Sequence, residues 1–75
     1  MNNPYLQLFD AVVTGLVKNG FEISLQTSWM VTLTKWKLVH TTEDLKVVEC
    51  IVNVFMDNED EPTQIISRYS YFEKE

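Results

Sequence analysis

Leu45-Lys46-Val47-Val48-Glu49-Cys50-Ile51-Val52-Asn53-Val54-Phe55-Met56 decides the fold of this chain, because the segment reads two ways. As a helix, Leu45, Val48, Ile51, Val52 and Phe55 recur at helical spacing, with Thr41 or Thr42 as the cap and Glu43 and Asp44 in the first turn. As a strand, Val48, Cys50, Val52, Val54 and Met56 line one face. The other face carries Val47, Ile51 and Phe55, interrupted by Glu49 and Asn53. Dense β-branched and aromatic content favours the strand, with a helix over 45–56 as the alternative. Two nearly apolar faces also predict a strand covered on both sides.

Immediately upstream, beyond the polar break Thr41–Asp44, residues 29–40 form a second long strand pattern. Its alternation changes phase: Trp29, Val31 and Leu33 share one parity, whereas Trp36, Leu38 and His40 share the other. A bulge or twist near Thr34 and Lys35 would keep both sets on one face. Without it, one Trp stands on the outer surface beside Lys35 and Lys37. Further upstream, Phe21, Ile23 and Leu25 alternate with Glu22, Ser24 and Gln26, as in a half-buried strand. Gln26–Ser28 then joins the two in an antiparallel hairpin. The chain opens with a helix over 3–19, capped by Asn3, with Pro4 at its first position and Gly20 as its stop. Tyr5, Phe9, Val12, Val13, Leu16 and Val17 make its apolar stripe, and Gly15 would permit close approach to a sheet.

Downstream, Asp57–Pro62 is an acidic turn, and Ile65, Ile66, Tyr69, Tyr71 and Phe72 mark a final strand over 63–72. Phe72–Glu75 is expected to fray. The fold predicted is α+β: an N-terminal helix packed on a four-stranded antiparallel sheet in the order α-β-β-β-β, one domain spanning 1–75.

Composition narrows the function classes. Seventy-five residues with 45% apolar content and nine aromatics can build one small core. Self-association is an expected way for so short a chain to gain further burial, as a homodimer. Six basic residues and a net charge of −5 argue against phosphate-driven nucleic-acid binding and for a protein partner with a basic surface. A single Cys50, no basic leader and no apolar run near the roughly 20 residues of a spanning helix lead to the expectation of a soluble cytoplasmic protein with no membrane contact.

Several side-chain groups are candidates for contact. Trp29, Lys35, Trp36 and Lys37, with His40 beyond them, carry the stacking and cationic chemistry of a single-strand nucleic-acid platform, or of a protein hot spot. The bland alternative is buried indoles with lysines facing water. Asp57, Glu59, Asp60 and Glu61 form an acidic patch, otherwise an ordinary solvated turn. The alternation of Asp57, Glu59 and Glu61 resembles a calcium loop, but Pro62 and Arg68 stand at the sixth and twelfth positions, where glycine and an acid belong. Tyr69 and Tyr71, with Ser67, share a strand face suited to a partner or to packing within the monomer. His40 with Glu43 and Asp44 is a thin case for a general base. One His, one Cys and two glycines supply neither a zinc site nor a phosphate cradle, so no metal, cofactor or catalytic residue is expected.

These features lead to the expectation of a small acidic, non-enzymatic protein-interaction module that modulates or inhibits a larger partner. Its size and style suggest a phage or mobile element. The alternative is a single-stranded nucleic-acid-binding protein using Trp29, Lys35, Trp36 and Lys37.

Overall fold

A computed structural model describes residues 3–40 and 42–74, the last without its side chain. Met1, Asn2, Thr41 and Glu75, which entered the readings of the leader, the polar break and the chain end, lie outside the described residues. One helix and four strands follow in order: α1 (Pro4–Lys18), β1 (Glu22–Gln26), β2 (Met30–His40), β3 (Leu45–Met56) and β4 (Ile65–Lys74). The strands pair antiparallel with their sequence neighbours in the order β1-β2-β3-β4. Residues 45–56 are therefore a strand, and the predicted α-β-β-β-β architecture holds.

Helix α1 begins and ends as its chemistry dictates. The Asn3 side chain accepts a bond from the Tyr5 N–H at 2.9 Å, and its amide nitrogen donates to the Pro62 carbonyl at 3.2 Å. At the other end Gly20 takes a positive φ of 97°. The Gly20 N–H donates to the Val17 carbonyl and the Phe21 N–H to the Leu16 carbonyl, which closes the helix in a Schellman turn. Phe9 is buried, while Val12, Val13 and Leu16 pack against Val31, Leu33, Val52, Val54 and Met56 of the sheet. Val17, expected in the stripe, is largely exposed. A Cβ on Gly15 would meet nothing within 4 Å, so the expected close approach to the sheet does not occur there.

The register between β2 and β3 runs unbroken from Met30↔Phe55 to His40↔Leu45. No bulge interrupts β2, so its two apolar sets lie on opposite faces. Val31 and Leu33 join Val52 and Val54 beneath the helix, whereas Trp36 and Leu38 lie on the other face. The irregularity sits instead in β1, between Ile23 and Leu25. It places Ile23 opposite Leu33 but Leu25 opposite Thr32, which ends the shared face expected for Phe21, Ile23 and Leu25. All five residues of β1 are exposed, so this strand is not half-buried. The predicted fraying at 72–75 is also corrected: Phe72, Glu73 and Lys74 pair with Glu49, Val48 and Val47.

Helix and sheet differ in length, and that mismatch shapes the molecule. Fifteen residues of helix span about 22 Å, against roughly 40 Å for the twelve residues of β3. The helix covers the half of one face nearest the Asp57–Pro62 turn. The other half of that face, and the whole opposite face, have no covering layer among the described residues. The molecule measures 55 × 20 × 19 Å.

Candidate protein-interaction surface

The sheet has a helix-side face and an open face, and the candidate residues divide between them. On the helix-side face, beyond the end of α1, the rows Leu33–Val52–Tyr69 and Lys35–Cys50–Tyr71 run across β2, β3 and β4, with Lys37 and Val48 in the next row. Phe21, Lys35, Lys37, Cys50 and Tyr71 line a cleft of about 290 Å³. Lys35 is fixed there, donating to the Asn19 carbonyl at 2.6 Å with its ammonium 5.6 Å above the centre of the Phe21 ring. That bond places a cation on the negative pole of α1. Lys35 is thereby a helix-terminating residue as well as a cleft wall.

Cys50 is buried as expected, and its sulfur lies against the Tyr71 hydroxyl. The Tyr71 phenol is held above its usual range, chiefly by the charge of an ionised Cys50, then by the hydrogen bond to it and by partial desolvation. The phenol therefore stays neutral near pH 7 and presents a polar edge, not a charge. Tyr69 and Tyr71 are 53% and 67% exposed, so they are not packed inside the monomer.

Trp36 belongs to the open face, in the row Trp36–Glu49–Phe72, and is 55% exposed. Alternation thus separates it from Lys35 and Lys37, its neighbours in sequence. Trp29, at the entrance to β2, makes an edge-to-face contact with Phe55 at 6.5 Å, and the Arg68 guanidinium lies 5.5 Å over the same ring. The four-residue platform Trp29, Lys35, Trp36, Lys37 does not assemble on one side of the sheet. His40 lies at the far end of the open face, opposite Leu45.

The acidic turn is built from its own side chains. The Asp57 carboxylate accepts bonds from the Thr63 hydroxyl and N–H and from the Gln64 N–H. These bonds, the Thr63 hydroxyl first, hold the Asp57 carboxyl below the usual carboxylate range. Asn58 accepts from the Asp60 and Glu61 N–H groups, and Glu59 accepts from the Ser28 hydroxyl at 2.8 Å. Asp57 and Glu59 thus tie the turn together and to the β1–β2 connection, while Asp60 and Glu61 are exposed at the tip. Among the described residues, no group of three or more His, Cys, Asp or Glu side chains converges as a metal ion would require. No described helix is long and apolar enough to cross a membrane.

Leu38, Leu45 and Phe72 were not among the expected contact residues, yet they are 65%, 52% and 51% exposed on the open face. For Leu38 the signal was present in the parity of β2: without a bulge, the apolar set Trp36, Leu38 and His40 had to face away from the helix. No protein family, curated protein or solved structure matches this chain.

Proposed function

We propose that this chain is a non-enzymatic, cytoplasmic protein-interaction module that modulates or inhibits a larger partner, gripping it with the uncovered end of the helix-side face. The observation that supports this most is the cleft beyond α1, where exposed Tyr71 stands with Lys35 and Lys37, and exposed Tyr69 occupies the neighbouring row. Aromatic rings that keep a polar tip, placed next to a cation over an apolar floor, are the usual anchors of protein interfaces. Asp60 and Glu61 at the opposite tip add a negative pole that orients the approach of a basic surface, a contribution to rate more than to affinity. The nucleic-acid alternative draws less support, since Trp36 and the two lysines occupy opposite faces and the net charge is −5.

The test uses the tagged full chain as bait in its native cell, beside Tyr71→Ala and Lys37→Glu. Wild type should retain one protein in fixed proportion, and both variants should lose it while their melting temperatures stay near wild type. Equal retention by all three would remove this cleft from the interface. Tryptophan quenching by a single-stranded oligonucleotide that fades as salt rises would replace the reading with the nucleic-acid one.

A further inference from the structure

The open face raises a separate question, because its residues take no part in the cleft. A monomeric protein of 8.8 kDa is expected to expose about 4,800 Å², whereas this chain exposes 5712 Å². Its radius of gyration is 14.8 Å, against about 11 Å for a compact domain of this length. The excess area, about 900 Å², is close to the roughly 800 Å² that each partner buries in a stable complex. The open face carries an apolar, coplanar set of side chains. Trp36, Leu38, Leu45 and Phe72 are each more than half exposed, and Val47, Ile51, Phe55 and Ile66 are half-buried on the same side.

We propose that the open face is the contact between two copies of this chain, stacked sheet on sheet about a two-fold axis that crosses the strands at Ile51. The cross-strand rows favour this occupant. Counted outward from Ile51, the row Thr34–Ile51–Ser70 is small, the row Trp36–Glu49–Phe72 is bulky and acidic, and the row Thr32–Asn53–Arg68 is small at β2 and basic at β4. A two-fold crossing the strands lays the second row of one copy over the third row of the other. Trp36 then meets Thr32, Glu49 meets Asn53 with Arg68 one strand away, and Phe72 meets Arg68. Trp36 thus faces a small residue, the Phe72 ring faces a guanidinium, Glu49 approaches Arg68, and the next rows set Leu38 on Met30 and Val47 on Phe55, each contact made twice. Stacking about an axis along β3 instead sets Trp36 upon Phe72 and Glu49 upon Glu49, bulk upon bulk and like upon like. Sheets packed this way lie about 10 Å apart and close to aligned, with helices outermost.

Sedimentation equilibrium on the full chain should give twice 8.8 kDa, dissociating on dilution. Ile51→Lys sets a charge on the axis against its own copy and should weaken association at least tenfold, with an unchanged far-UV spectrum. Arg68→Glu alone should weaken it as well, and adding Glu49→Arg should restore it. A bismaleimide of roughly 8–10 Å reach should join two Ser70→Cys copies across the axis, where facing backbones about 10 Å apart are too distant for a direct disulfide, and should not join Ser67→Cys copies on the helix-side face. This last result stands even if Ile51→Lys fails to fold. A folded monomer at concentrations up to about 100 μM would overturn the proposal. So would a dimer that cross-links through Ser67→Cys and not Ser70→Cys. Loss of the larger partner in Tyr71→Ala with the dimer intact separates the two proposals.

Discussion

Leu33 and Leu38 lie on the same strand, in the same ladder with β3, yet one is fully buried and the other is 65% exposed. Around Leu33 the sheet is roofed by Phe9, Val12, Val13 and Leu16, and Val52 opposite it and Val54 beyond are completely enclosed. Around Leu38 the described structure supplies backbone pairing and little else. The two leucines also face opposite sides of the sheet, so they share a strand but not a covering layer, and the ladder extends beyond the hydrophobic core with only Cys50 buried past Val52 on β3. A net contribution of about 1 kcal/mol per hydrogen bond rarely sustains a long hairpin in water. The distal half is accordingly where binding would add most to stability.

The sharpest break in this comparison would come from truncating both leucines. Leu33→Ala should cost about 3–5 kcal/mol as a fully buried side chain, and Leu38→Ala less than about 0.5 kcal/mol in dilute, monomeric protein. Urea melts that gave equal losses would mean that the open face at Leu38 is covered as fully as the helix-side face at Leu33. A smaller effect tests how the helix sits. Because a Cβ at Gly15 meets open space, Gly15→Ala should stabilise the covered half by about 0.5–1 kcal/mol through helix propensity. Destabilisation would place the helix closer to the sheet than described. The smallest effect concerns the Asp57 turn at the covered end. Its carboxyl is held below the ordinary 3.8, so the ionised form stabilises the fold above that pH, and this contribution disappears as pH falls through the folded value. Asp57→Asn should remove that portion of the acid limb, seen as a shallower fall of melting temperature below pH 3.8. An unchanged slope would assign acid sensitivity to other carboxylates.

Much of the fold could be read locally. Asn3-Pro4 and Gly20 bracket the helix because capping and left-handed backbone are properties of single residues. Residues 45–56 were ambiguous because apolar positions on both faces satisfy either period. Pairing with β2 and β4 resolves them, and that depends on residues distant in sequence. The bulge in β1 left no trace, since Ile23 and Leu25 alternate cleanly as written. The candidate surface was half legible. Tyr69, Tyr71, Lys35 and Lys37 share a face by parity and register, as does the separation of Trp36 from them. How far along the roof reaches follows from the helix being shorter than the strands, whereas which face it covers is decided by the packing of Val31, Leu33, Val52, Val54 and Met56 against it.

The Asn3 amide reaches the Pro62 carbonyl across 59 positions of chain, while each strand hydrogen-bonds to the one beside it in sequence. Such an arrangement lets hairpins zip locally, with little loop closure to overcome, and leaves helix docking as the long-range step. The ribbon can therefore form before its lid, and an early ribbon bare on both sides would be the species most exposed to aggregation.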